Sequence, residues 1–132
     1  MIPVVADNLN IDFVTAPSLN YKMNIDDEIV INKCNELEAI KQVIYKILNT
    51  ERYQYLIYSW NYGIELADLF GEPVYYVVPE LERRITEALI QDDRIESVTD
   101  FEFDTSKRGT VVCTFTVNTI FGEIDTERTV LY

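Results

Sequence analysis

Glu51 and Arg52 form the charged pair whose sequence context best suits recognition of another group. They follow a predicted helix and open a segment rich in tyrosine and tryptophan. Arginine can bind a carboxylate through two hydrogen bonds and can stack on an aromatic ring, and both contacts suit a desolvated protein interface. Two roles therefore stay open for the pair: contact with another subunit, or an ion pair within the chain that ties the helix end to the sheet.

The aromatic residues after this pair allow the same two interpretations. Clustered tyrosine and tryptophan side chains are typical of interface anchors, although such residues can also fill one face of a core. The cluster comprises Tyr53, Tyr55, Tyr58, Trp60 and Tyr62. We expect a subunit-binding site built from the charged pair and part of this cluster, namely Glu51, Arg52, Tyr53, Trp60 and Tyr62.

The sequence lacks the residues that most catalytic mechanisms need. The chain has no histidine, which removes the commonest general base, the commonest metal ligand and every nucleophile that relies on a histidine partner. Its four glycines form neither a P-loop nor a dinucleotide-binding fingerprint. Cys34 and Cys113 lack the local spacing of a zinc site and are expected to be reduced, with a disulfide between them as the alternative. We predict no cofactor, no metal site and no catalytic residue.

Carboxylates are the one catalytic resource that remains. A glycosidase needs two carboxyl groups on either side of a sugar-binding cleft, so a lysozyme-like peptidoglycan hydrolase stays an alternative function. With 23 acidic residues the choice of such a pair is arbitrary. The candidate carboxylates are Glu51, Glu65, Glu80 and Glu82. The acidic turn over residues 24–28 lacks the ligand alternation and central glycine of an EF-hand, and a solvated turn explains it better.

The formal net charge of −12 comes from 23 acidic and 11 basic residues. Binding to a phosphate backbone requires a basic surface, so nucleic acids and anionic membranes are disfavoured as partners. The N-terminal residues do not form a basic leader, and no segment approaches the ~18–20 apolar residues of a membrane span. We therefore expect a protein that is made in the cytosol and is neither secreted nor inserted in a membrane. A small cytosolic regulatory binding domain is a further alternative function.

The hydrophobic pattern predicts an α+β fold. Two main helices and a short third helix are expected to pack on an antiparallel sheet that ends in a three-stranded meander. Residues 1–20 show little periodicity and are expected to form an arm that lies along the domain or along a neighbouring subunit. Residues 21–132 are expected to form a single domain.

The element boundaries follow from caps, turns and periodicity. A hairpin is predicted over residues 21–31, and its two strands flank a turn at 24–27. Asn35 is the predicted N-cap of the first helix, with Glu38 completing a capping box, and Pro79 is the predicted first residue of the last helix. The predicted helices span residues 36–49, 62–70 and 79–91. The predicted strands of the meander span residues 95–103, 110–118 and 124–131.

Six short motifs between residues 38 and 117 are shared with a known family. They are EAIKQ at 38–42, LNTERY at 48–53, IYS at 57–59, YGIEL at 62–66, ELERRI at 80–85 and FTV at 115–117. Together they resemble the small baseplate wedge proteins of contractile phage tails. The narrower resemblance is to the branch from Gram-positive prophages and phage-tail-like bacteriocins, and it covers about residues 20–130.

The resemblance implies a structural protein, not an enzyme: a sheath initiator on which the contractile sheath begins to polymerise around the tail tube. The implied partners are the tail sheath protein, other baseplate wedge proteins, and the tail tube or hub. The implied location is the baseplate of a virion or phage-tail-like particle that assembles in the bacterial cytoplasm. Some relatives carry a Glu-Pro-Arg motif at a wedge junction. Because Glu51 and Arg52 lack the intervening proline, only a subunit-binding role carries over to them.

Strand exchange links neighbouring subunits in such sheaths. The resemblance therefore suggests a way for the chain to join the assembly, because an edge strand of the meander can receive or donate a strand through backbone hydrogen bonds. We expect the C-terminal strand at 124–131 and the arm at 1–20 to take part.

Overall fold

The computed structural model describes residues 19–132, and the predicted arm over residues 1–20 lies almost entirely outside this range. The described residues form an α+β fold, as predicted, with antiparallel strands in two separate sheets. In chain order the elements are β1 (Asn20–Asn24), β2 (Ile29–Cys34), α1 (Glu36–Leu48), a 3-10 turn (Ala67–Leu69), α2 (Val74–Ile90), β3 (Ile95–Asp104), β4 (Thr110–Thr119) and β5 (Gly122–Leu131).

The predicted C-terminal meander is confirmed, with the strand order β3-β4-β5. Burial alternates along β4, because successive side chains in a strand point to opposite faces of the sheet. One face packs against the helices through the buried residues Val111, Cys113, Phe115 and Val117. Each outer strand pairs with β4 alone, so β3 and β5 both present a second edge that no other described strand occupies.

Helix α1 begins and ends within one residue of the prediction. The side chain of Asn35 caps it by accepting a hydrogen bond of 2.8 Å from the backbone N–H of Glu36. Asn35 is therefore the N-cap residue, as predicted. A capping box would require its side chain to bond to the N–H of Glu38, the third helical residue, but the bond goes to Glu36, the first. Ile40, Ile44 and other residues at helical spacing are buried, so this face joins the core with α2 and the meander.

The predicted N-terminal hairpin is also confirmed, and a buried amide anchors it to α1. The Gln42 side chain accepts a 2.7 Å hydrogen bond from the backbone N–H of Met23 and donates one of 2.8 Å to the carbonyl oxygen of Tyr21. A two-stranded hairpin alone is marginally stable in water. Five of the six residues of β2 are exposed, so the hairpin is held to α1 through these two bonds, the ion pair of Lys22 with Glu38 at 2.9 Å and the burial of Cys34.

The predicted start of the last helix is wrong. Helix α2 begins at Val74, so Pro79 lies inside the helix and not at its first position. Proline cannot donate a backbone hydrogen bond in a helix interior, which normally favours a break at that point. Here the upstream turn buries Val77 completely, and the backbone N–H groups of Tyr76 and Val77 both bond to the carbonyl oxygen of Pro73. The burial of Val77 offsets the bond that Pro79 cannot make.

The predicted helix over residues 62–70 is wrong as well, and only the 3-10 turn at its end is formed. Two backbone N–H groups that this helix would use are bonded elsewhere. Leu66 and Ala67 both donate to the carboxylate of Glu51. Contacts with a segment more than ten residues earlier therefore replace local helical bonds.

Within residues 19–132, no helix combines the length and the apolar composition needed to cross a membrane.

Both cysteines are free and buried, so the alternative of a disulfide between them is not realised. Cys113 is fully buried in β4, and burial raises the pKa of its thiol to about 12. At pH 8 the thiolate fraction of Cys113 is therefore about a thousandfold lower than that of a cysteine with the ordinary pKa of 9.0. Because the thiolate is the reactive form, the Cys113 thiol is protected by both its protonation and its burial.

We therefore expect native protein at pH 8 to resist alkylation at Cys113, with a rate at least ~100-fold below that of the unfolded chain. Mass spectrometry after a timed pulse of iodoacetamide, with and without guanidinium chloride, measures this difference. Because the folded pKa is the higher one, the stabilisation linked to this proton is complete below pH 9 and falls as the pH rises towards 12. Alkylation of native Cys113 at the unfolded rate would contradict the buried position.

Candidate subunit interface

A short parallel bridge fixes the backbone of the candidate interface. Glu51 and Ile64 form this bridge outside the two sheets. The N–H of Ile64 donates to the carbonyl oxygen of Thr50 at 2.9 Å, and the N–H of Arg52 donates to the carbonyl oxygen of Ile64 at 3.1 Å. The residues between the two sides of the bridge, 53–62, form a loop with no helix or strand.

Gly63 makes the close approach at this bridge possible. Its φ of +90° lies in the region that residues with a Cβ rarely adopt. A Cβ at this position would also lie 2.5 Å from the carbonyl oxygen of Thr50, well inside contact distance. Position 63 therefore requires a glycine both for its backbone conformation and for the space that the Thr50 carbonyl oxygen occupies.

Glu51 binds backbone within its own chain. Its two carboxylate oxygens accept hydrogen bonds of 3.1 and 3.2 Å from the N–H of Leu66, and one of them accepts a further bond of 3.1 Å from the N–H of Ala67. The carboxylate thus satisfies N–H groups at the start of the 3-10 turn, where an acceptor is otherwise missing. Glu51 fixes the end of the loop and does not pair with the neighbouring Arg52.

Arg52 also has its partners within the chain. Its Nε and one terminal nitrogen donate to the carbonyl oxygen of Gly63 at 3.3 and 3.1 Å, and the other terminal nitrogen contacts the carboxylate of Glu87 at 3.2 Å. The side chain of Arg52 is only 9% exposed, whereas that of Glu87 is 47% exposed. Of the two roles left open by the sequence, the described structure contains the intrachain ion pair, and it joins the loop to α2.

The aromatic cluster divides into an exposed part and a stacked part. Trp60 is 76% exposed and Tyr53 is 65% exposed, and the adjoining Leu56 and Ile57 are also largely exposed. Tyr62 is half-buried against the core and stacks on Tyr58, with ring centroids 4.3 Å apart. Burial raises the pKa of the Tyr62 phenol. We call the exposed apolar surface of residues 53–60 the aromatic loop.

Tyr53 adopts an unusual backbone conformation for a large side chain. Its φ is +67°, in the left-handed region that non-glycine residues rarely occupy. Such a conformation costs about 1–2 kcal/mol and persists where the surroundings fix it. The hydrogen bonds of Glu51 and Arg52 lie directly before it in the chain. They hold the first residue of the aromatic loop in this conformation, with its ring pointing to solvent.

Glu80, one of the candidate carboxylates, does not have the environment of a general acid for glycoside hydrolysis. A hydrolase requires a general acid whose pKa is raised, so that it carries a proton near neutral pH. Arg83 and Arg84 instead hold the pKa of Glu80 below its usual value through hydrogen bonds. Glu51 is bonded to backbone N–H groups. Within the described range, no group of three or more His, Cys, Asp or Glu side chains could hold a metal ion.

Comparison with known proteins identifies the family. Residues 11–122 match the family model described as the contractile injection system sheath initiator. The chain belongs to this family. It is also 39% identical over 122 residues to the phage-like element PBSX protein XkdS of Bacillus subtilis strain 168, and the alignment covers 89% of this chain and 85% of that protein. The resemblance inferred from the six motifs is thereby confirmed, and the chain is a structural component of a contractile tail.

Arg84 is the residue of this sheath initiator that the sequence did not single out. It pairs with Glu80, four positions earlier, at 3.0 Å, and it also bonds to the carboxylate of Asp68 and to the carbonyl oxygen of Glu65 at 2.8 Å. Its side chain is buried, and these hydrogen bonds raise its pKa and lower that of Asp68. Arg84 therefore ties α2 to the segment that follows the aromatic loop. The position of Arg84 on the apolar stripe of α2 is the sequence feature that could have indicated a buried ion pair.

Proposed function

We propose that this sheath initiator is a baseplate wedge protein that provides the first platform for polymerisation of the contractile sheath around the tail tube. Its partners are the sheath protein, other wedge proteins, and the tube or hub. It is assembled in the bacterial cytoplasm and becomes part of the baseplate. The observation that carries this proposal is the family match, which spans most of the chain.

The aromatic loop is the proposed subunit-binding surface, with Tyr53 and Trp60 in direct contact with a neighbour. Exposed tryptophan and tyrosine side chains supply large contact areas at a low entropy cost, and they dominate the energy of many interfaces. Glu51, Arg52 and Tyr62 serve the same site by fixing the loop before a partner arrives. A preorganised surface loses less conformational entropy on binding.

Strand addition is the second proposed means of assembly. The outer edges of β3 and β5 carry backbone groups that no described strand pairs with. Such an edge can accept a strand from another chain, because backbone hydrogen bonds give affinity without demanding a particular sequence. Residues 1–20 are proposed to act as an arm in the same exchange, and residues 21–132 as the domain that carries these edges.

Deletion of the gene in the host that carries the tail cluster tests this function. We expect induced cells to make tail tubes without sheath and unattached sheath protein, because the polymer lacks its starting platform. Electron microscopy of purified particles counts the sheathed tails, and expression of the gene from a plasmid should restore them. Normal sheathed tails from the deletion strain would refute the proposed function. A regulatory role would instead change the amount of all tail proteins together.

A further inference from the structure

Arg128 lies half-buried in β5 with incomplete hydrogen bonding. It lies opposite Cys113 in the register of β4 and β5, so its side chain is on the same face of the sheet as Cys113, which is the face that packs against the helices. One terminal nitrogen donates a 2.7 Å hydrogen bond to the side-chain oxygen of Asn49 at the end of α1. Its Nε is buried and has no hydrogen-bond partner among residues 19–132. A buried donor left without an acceptor costs stability, so this arrangement calls for an explanation.

The other arginines of the described range have no such deficit. Arg108 is exposed to water, and four others form ion pairs with carboxylates. These pairs are Arg52 with Glu87, Arg83 with Glu80 and Glu87, Arg84 with Asp68 and Glu80, and Arg94 with Asp92. Arg128 has a neutral amide instead, and desolvation lowers its pKa. Because an arginine stays charged in proteins, Arg128 is a partly desolvated cation without an anionic partner among residues 19–132.

The guanidinium lies between two open cavities along β5. The smaller cavity, of about 380 Å³, is lined by the exposed apolar side chains of Tyr55, Phe70 and Leu131 above the buried Leu48 and Ile64. The larger one, of about 520 Å³, is lined by Lys41 but also by Asp125 and Glu127. Both lie beside the strand edge that β4 does not occupy. We call the smaller cavity together with this edge of β5 the β5 groove.

Charge favours the β5 groove as the place for an anion. Arg128 is the one cationic side chain that lines it, and Glu51 is the one anionic side chain. The carboxylate of Glu51 is already bonded to the N–H groups of Leu66 and Ala67. In the larger cavity, Asp125 and Glu127 would repel an entering carboxylate. Tyr55 also lines the β5 groove, which makes it continuous with the aromatic loop.

We propose that the β5 groove binds an extended segment of another tail protein, and that an aspartate or glutamate of this segment pairs with Arg128. This inference rests on the proposed function, because it names the chemistry of a partner in the same assembly. The segment lies along the free edge of β5, and the apolar residues beside its acidic residue contact the exposed side chains of Tyr55, Phe70 and Leu131. The carboxylate supplies an anionic partner for the guanidinium, which within residues 19–132 bonds to the neutral side chain of Asn49. A bidentate contact of this kind also fixes the register of the segment.

The local site explains how a chain with a net charge of −12 can select an acidic residue. Long-range repulsion disfavours a generally acidic partner. A single carboxylate in an otherwise apolar segment meets little of this repulsion, because the charge of the β5 groove is set by Arg128 at short range. The site therefore discriminates between segments by the position of one acidic residue. An uncharged segment would leave the guanidinium desolvated and unpaired, which makes it a poor ligand.

A peptide array tests the proposal directly. The probes are overlapping 15-residue peptides that cover the sheath and wedge proteins encoded beside this gene. Each peptide with an acidic residue has a matched version in which asparagine or glutamine replaces that residue. We expect the peptides that bind the wild-type protein to weaken at least about tenfold when their central carboxylate is neutralised. They should weaken equally with the variant Arg128→Met, and Arg128→Lys should restore only part of the affinity.

The neutralised peptides keep the test valid even if Arg128→Met does not fold, because they leave the protein unchanged. A second readout is the NMR signal of the Arg128 Nε–H, which should move when an acidic peptide binds and stay when its neutral version is added. Binding that ignores both the peptide carboxylate and Arg128 would overturn the inference, as would the absence of any binding peptide. Neither result touches the gene-deletion test, so the proposed function is judged separately.

Discussion

Changing both Tyr53 and Trp60 to serine should reduce the yield of sheathed tails at least about tenfold while leaving the melting temperature within about 2 °C of wild type. Both side chains are mostly exposed, so their removal takes little from the core. If they anchor a neighbouring subunit, their loss removes the largest apolar contacts of the interface. The measurement combines complementation of the deletion strain, counted by electron microscopy, with thermal unfolding of the purified variant.

Tyr75→Ser is the matched control for this double variant. Tyr75 is 81% exposed, and it lies in the first turn of α2, outside the aromatic loop. We expect this change to leave both the tail yield and the melting temperature unaffected. Equal loss of assembly from the control would mean that any exposed aromatic residue matters. Equal loss of stability and assembly from the double variant would mean that the loop serves the fold of its own chain.

The elements that the sequence predicted well are those governed by local periodicity. The alternation of Val111, Cys113, Phe115 and Val117 is enough to define β4, and the turns beside it then fix the meander. Helix α1 follows from an apolar stripe and from Asn35. In these elements each residue's preference agrees with the burial that the fold imposes, so the pattern alone was sufficient.

The predictions that failed concern residues whose partners are distant in the sequence. Pro79 is a good first residue for a helix, and only the burial of Val77 in the tertiary structure shows that α2 starts earlier. The 62–70 segment has a helical composition, but Glu51 takes up its backbone N–H groups. A local pattern contains no information about such bonds, because they depend on how the chain returns to itself.

The same limit applies to the candidate site. The sequence grouped Glu51 and Arg52 with an aromatic segment, but it could not identify Glu87, 35 positions later, as the partner of Arg52. Nor could it find the environment of Arg128, whose closest polar partner lies 79 positions away at the end of α1. Residue type predicts what a side chain can bind. Its actual partner follows from the fold, and only the fold reveals a buried donor without an acceptor in the described range, such as the Nε of Arg128.

Gly63→Ala is expected to have the largest effect on the fold of the site, and Gly71→Ala provides a matched comparison. The two glycines have nearly identical φ values of +90° and +89°, so alanine suffers a similar backbone strain of about 1–2 kcal/mol at either position. Their surroundings differ. A Cβ at Gly71 would meet nothing within 4 Å, whereas a Cβ at Gly63 would meet the carbonyl oxygen of Thr50 at 2.5 Å.

The difference between the two alanine variants therefore measures the close approach at the bridge. Relieving the contact at position 63 requires the two backbone segments to separate, which breaks the bond from Ile64 to Thr50 and displaces the carbonyl oxygen that Arg52 binds. We expect Gly63→Ala to lose about 3 kcal/mol of unfolding free energy, on the order of 10 °C, and Gly71→Ala only about 1 kcal/mol. Urea unfolding measures the unfolding free energy of both variants and so tests this difference. Because the bridge also positions the aromatic loop, Gly63→Ala should lower the tail yield even at a temperature where the variant is fully folded. Equal stability and equal tail yield of the two variants would show that the bridge does not hold the loop.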